Sequence, residues 1–112
     1  MKAKYNQFKE AIIKANRAAI EASKPEDDGG TCNLDSVVID FTRWRSTSIE
    51  KLSEETGVRI SDKLSSWVWK GCCFISFPAD GIGNNRTRMV EAAYKSLKES
   101  GIEEARMYYQ MD

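Results

Sequence analysis

The last third of the chain changes its hydrophobic period twice, and this limits the folds open to it. "CCFISF", residues 72 to 77, is a run of strand-forming residues closed by Pro78. A glycine- and asparagine-rich stretch follows, and then "RTRMVEAAYKSLKES", whose apolar residues recur at helical spacing, giving a helix over about residues 85 to 100 that Gly101 stops. "EARMYYQM" returns to alternation, with Ala105, Met107, Tyr109 and Met111 on one face and Arg106, Tyr108 and Gln110 on the other. Strand, helix, strand in this order predicts a right-handed crossover between two parallel strands.

The rest of the chain supplies the partners of that unit. Tyr5, Phe8, Ile12, Ala15, Ala19 and Ala22 form one stripe along a helix over residues 2 to 23, widened by Ile13 and Ile20. Its small alanines suit close approach, either to the chain's own core or to a second subunit. Pro25 and Gly29-Gly30 in "KPEDDGG" end it. Residues 36 to 42, "SVVIDFT", alternate as a half-buried strand, with Val37, Ile39 and Phe41 facing one way. Thr47 with Glu50 matches a capping box and Gly57 a helix stop, so a short helix fits residues 48 to 56, with Ile49 and Leu52 buried. "VRISDKLSSWVWK", residues 58 to 70, reads as a short strand and an irregular segment. The expectation is one α+β domain over residues 1 to 112. It has two layers: a small mixed sheet, a long N-terminal helix and a βαβ unit at the C-terminal end.

Charge narrows the function classes. Seventeen Lys and Arg balance seventeen Asp and Glu, which argues against a protein that coats a nucleic acid polymer. No apolar run reaches the roughly 18 residues of a membrane span, and the charged, amphipathic "MKAKYNQFKEAII" is unlike a signal peptide. The expected compartment is the cytoplasm, a host's if the chain is phage-encoded. The chain has no histidine and three cysteines, Cys32, Cys72 and Cys73. The commonest general base and neutral metal ligand are therefore missing. Adjacent Cys72 and Cys73 point to opposite faces of a strand, so neither a metal site nor a disulfide framework is expected. No pair of Asp35, Asp40, Asp62 and Asp80 has a catalytic spacing, and Ser65 and Ser66 lack a histidine partner. We expect no enzyme and no cofactor.

Arg86 and Arg88 stand at the start of the predicted third helix, where the macrodipole favours acids. At 100° per residue Val90, Ala93 and Leu97 return to within about 40° of Arg86. Arg86 therefore lies on the buried stripe and Arg88 nearly opposite, with Lys95. A strand end meeting a helix start is a common ligand crevice, where first-turn N–H groups can cradle an anion. Asn84 or Asn85 would cap the helix, and Arg86 would add a bidentate contact. The other reading pairs Arg86 with Asp80, Asp35 or another carboxylate, its stem covering the core edge. "GIGNN" is neither a dinucleotide fingerprint nor a P-loop. Trp67 and Trp69 share a face if extended and could stack a nucleobase, with Arg43 or Arg45 on phosphate. The reading favoured over this places one or two tryptophans in the core and the rest at a subunit interface. Of Tyr108 and Tyr109, one is expected inside and one on the open face.

Two resemblances bear on function. "ANRAAIEASKP", closing the first helix, resembles the start of small phage proteins of the Thoeris anti-defence sponge family. "WKGCCFISFP", "NNRTRMVEAAYKSLKESGI" and "YYQMD" resemble small proteins of phages and mobile elements. The first implies a catalytically inert homo-oligomer that sequesters a cyclic ADP-ribose-type signal; no site residue is carried over from it. The functional expectation is thus a binder of a small anionic nucleotide-like ligand. The alternatives are an inhibitor of a host defence protein, anti-CRISPR-like, and a structural or regulatory domain of a mobile element.

Overall fold

The computed structural model describes residues 2–30, 35–79 and 83–108. Its elements are α1 (Lys2–Ala22), β1 (Ser36–Asp40), α2 (Ser46–Thr56), β2 (Arg59–Ile60), β3 (Cys72–Ser76), α3 (Asn84–Glu99) and β4 (Ala105–Tyr108). The α+β class holds. The sheet runs β2-β3-β1-β4, and every neighbouring pair is antiparallel. It is therefore not mixed. β3 and β4 do run parallel to each other, as the crossover requires, but β1 lies between them and is antiparallel to both. The segment from β1 to β4 has the split βαβ, ferredoxin-like connectivity, preceded by α1. Such connectivity hosts many functions and names none.

Alternation assigns the two faces. Val37, Ile39, Cys73, Ile75 and Ala105 point into the core that the helices cover, joined by Phe8, Ile12, Leu52, Met89 and Leu97. Each fully buried large aliphatic or aromatic side chain here is worth roughly 2 kcal/mol. Phe8, Phe41 and Trp44 meet at centroid separations of 5.0–5.9 Å and close one end of this core. The alanine seam of α1 packs along α3, with Ala11, Ala15 and Ala19 buried. The seam is thus used within the chain, while Ile20, placed on the stripe by periodicity, is 55 % exposed.

Two of the boundaries differ from expectation. The helix α2 begins at Ser46 with Arg45 as its N-cap and no side-chain cap, so the Thr47–Glu50 box is not formed. Gly57 does end it, at φ 72°, with its N–H on Ser53 O. β1 stops at Asp40, because Asp40 turns its carboxylate onto the N–H and hydroxyl of Thr42. Those bonds, the hydroxyl's first, hold the Asp40 carboxyl below the usual range. Tyr109, Gln110 and Met111, assigned above to the last strand, lie outside the described residues, as do Cys32 and Asp80.

Candidate functional site

A pocket of about 450 Å³ opens where β1 begins, β3 and β4 end, and α3 starts. Asp35, Ser36 and Ser76 give it polar walls; Phe74, Phe77 and Tyr108 give it aromatic ones. Among the described residues that line it, Arg86 is the cation. Buried Val90, Ala93 and Leu97 share its side of α3, as the rotation argument requires. One terminal nitrogen of Arg86 donates to the carbonyl oxygen of Asp35 at 3.1 Å. Its Nε is buried and has no hydrogen-bond partner among the described residues. No carboxylate among the described residues lies within ion-pair distance of this guanidinium. The pairing expected with the Asp35 carboxylate is thus replaced by a bond to the Asp35 main chain, and Asp80 lies outside the described residues. A buried guanidinium N–H without an acceptor costs about 1–3 kcal/mol or more, so the site gains from any acceptor that reaches it.

The helix start itself is not an open anion cradle. Asp28 Oδ1 accepts the N–H of Gly83 at 3.0 Å and that of Asn85 at 3.1 Å, and Gly29 O accepts the N–H of Asn84 at 2.8 Å. The acid that the dipole favours is therefore present, delivered from the loop after α1. That loop passes so near that a Cβ on Gly83 would sit 2.5 Å from Gly29 O. Gly83, rather than an asparagine, is the N-cap residue. Asn85 is wholly buried: its Oδ1 accepts the Lys24 N–H at 2.6 Å and an Arg88 N–H at 3.2 Å, and its Nδ2 donates to Ser23 Oγ at 3.3 Å. Arg88 pairs with Asp27 at 2.7 Å. Asn85 and Arg88 thus pin the α1–β1 loop to α3, while Asn84 is exposed beside Gly30.

The aromatic candidates divide as well. Trp67 and Trp69 lie in a turn over residues 67–71, not on a strand. Trp67 is 95 % exposed, whereas Trp69 packs on Tyr108 with ring centroids 5.4 Å apart. Tyr108 in turn meets Phe74 edge-on at 5.2 Å. Arg43 is exposed beside Asp40 and Glu104 at the opposite end of β1 from Arg86. Arg86 and Tyr108 therefore share one site, Trp69 adjoins it through Tyr108, and Arg43, Trp67, Asn84, Asn85 and Arg88 do not line it.

Sequence reasoning did not pick out Phe74 or Ser76 for the site, although alternation along "CCFISF" puts both on the face away from Cys73 and Ile75. Burial pushes the Cys73 thiol up to about 11 and raises that of Cys72, which leaves both poor nucleophiles at neutral pH. Among the described residues no cluster of three His, Cys, Asp or Glu is arranged to hold a metal ion, and no helix is long and apolar enough to cross a membrane. Comparison with known proteins finds no matching family model, no significantly similar curated protein and no significantly similar solved structure.

Proposed function

We propose that this protein is a non-catalytic binder of a small nucleotide-like anion, held in the Arg86 pocket. The observation that carries the reading is the Arg86 side chain on the wall of a pocket that also holds aromatic rings, its buried Nε without an acceptor among the described residues. A phosphate oxygen would meet the Arg86 guanidinium there by a charge-assisted bond. Phe74 and Tyr108 offer ring edges and faces to a base. Asp35, Ser36 and Ser76 can accept or donate to sugar hydroxyls, since a carboxylate has about four acceptor positions. A carboxylate in the same wall disfavours a bare inorganic anion and favours a ligand that brings hydroxyl or amino donors with its phosphate. Sequestration of such a signal, the role implied by the resemblance to the phage sponge proteins, is the biological activity proposed.

Thermal-shift titration with cyclic nucleotides and ADP-ribose derivatives tests this. A ligand at a hundred times its Kd adds about 2.7 kcal/mol to stability. The rise in Tm should occur for the native protein and be lost in Arg86→Ala. Absence of any shift, or an equal shift in the variant, would overturn the assignment.

A second reading rests on Trp67 and Val68, 95 % and 68 % exposed at one turn. An indole presented this way suits a protein contact, as in an inhibitor of a host defence factor. In that case Trp67→Ala abolishes a purified complex with the host protein and leaves every nucleotide titration unchanged.

A further inference from the structure

Among the described residues the three helices pack on one face of the sheet, and the other face has no helical cover. The register places on that face Arg59 and Ser76, Ser36 and Tyr108, Phe74, Val38 and Arg106, and then Cys72 and Asp40. Val38 is nonetheless fully buried. Phe74 from β3 and Tyr108 from β4 flank it, with their rings in edge contact. Trp69 folds back from its turn onto Tyr108. The three rings make one continuous patch, and each remains partly exposed. Two of them, Phe74 and Tyr108, also line the Arg86 pocket, so patch and pocket are one surface.

The charges on this face are unequally engaged. Asp40 is occupied by Thr42, and Glu104, next to it at the far end, pairs with Lys4 at 3.1 Å. Arg59 and Arg106 are exposed and have no ion-pair partner among the described residues. A chain of net charge zero thus presents a sheet face with stacking rings flanked by two exposed arginines, of which Arg106 also helps to keep the nearby Asp40 carboxylate charged. Aromatic platforms with a cationic border suit single-stranded nucleic acid, because every base has a π-face and every linkage a negative charge.

The geometry points to a ligand longer than one nucleotide: a single strand whose first phosphate meets Arg86 and whose next bases stack across Tyr108 and Trp69, its backbone running past Arg106. This rests on the pocket reading above and extends it from a mononucleotide to an oligonucleotide.

The test is a length series. Affinities of the whole chain for mono-, di- and tetranucleotides of thymidine and of uridine are measured over a range of salt, with Arg86→Ala, Trp69→Ala and Arg106→Gln alongside. Each stacked base is expected to tighten binding about tenfold. Trp69→Ala should remove about one such step, and Arg106→Gln should lower the slope of log affinity against log salt by roughly 0.7. Arg106 is exposed, so its variant keeps the test valid if Trp69→Ala fails to fold. Deoxy and ribo series that behave alike assign the site to bases and phosphates; a gain confined to one series assigns it to that sugar as well. Mononucleotide binding with no gain in length overturns the extension and leaves the pocket reading standing. No binding at any length overturns the extension, and the pocket reading then falls only if the ADP-ribose and cyclic-nucleotide titration above also shows no shift. A gain in length that neither Trp69→Ala nor Arg106→Gln reduces places the strand elsewhere and overturns the extension.

Discussion

The carboxylate of Asp28 accepts the main-chain N–H of Asn85 at 3.1 Å, so the negative charge at the start of α3 belongs to the chain itself. This contact explains how a helix with arginines in its first turn is stable. Asp28 supplies the acid, Asp27 neutralises Arg88, and Arg86 is turned away from solvent toward the sheet end. Replacing Asp28 with Ala should cost about 0.5–2 kcal/mol, the range for losing a capping side chain. Asn85→Ala should cost more, about 2–4 kcal/mol, because it leaves the Lys24 N–H without its acceptor as well as opening a void. Urea unfolding measures both. Equal midpoints for the two variants and the native chain would contradict this account of the α1–β1 loop.

Gly71 precedes β3 at φ +81°, and a Cβ there would collide with Thr42 Oγ1 and lie 3.1 Å from Thr42 Cα. The Gly71 carbonyl accepts the Phe41 N–H at 3.0 Å, so the turn cannot shift without loosening β1. Gly71→Ala should therefore destabilise by more than about 1 kcal/mol, the sum of left-handed strain and steric clash. Thr42→Ser in the same background relieves little, since the close approach to the Thr42 main chain stays. An unchanged Tm for Gly71→Ala would refute the close approach.

Tyr5 on α1 donates to Glu55 on α2, and the Tyr5 phenol is pushed up to about 12, first by burial and then by Glu55. The folded value is raised, so this contribution is complete below the unfolded value of about 10 and is lost as pH climbs toward 12. Stability measured by denaturant should fall over that window in the native chain. Tyr5→Phe should be less stable at neutral pH, and its profile should be flatter from pH 10 to 12. Coincident slopes would show that the phenol is not held.

Much of this fold was legible because its elements announce themselves locally. The strand–helix–strand rhythm from Cys72 to Tyr108 and the stop at Gly57 depend on neighbours in sequence. Sheet order does not: that β1 would slip between β3 and β4 is set by long-range pairing, and a helix-spaced seam of alanines does not say which partner it meets. At the site, rotation about α3 was enough to aim Arg86 inward. What replaced the free amides was a carboxylate 57 residues away, in an "EDDGG" stretch that reads only as a loop. The buried Val38 shows the same limit: alternation puts it on the face opposite Val37 and Ile39, and rings from β3 and β4 cover it there.

The central claim is that the Arg86 guanidinium faces a cavity and receives a phosphate there. Its Nε–H resonance in a nitrogen-15-labelled sample reports on that atom directly. On titration with ADP-ribose or a cyclic nucleotide it should show the largest shift of any arginine Nε–H, while that of Arg88, held by Asp27, stays in place. If the ligand binds and the Arg86 resonance does not move, or if Arg43 or Arg88 moves instead, the guest sits elsewhere and the account fails.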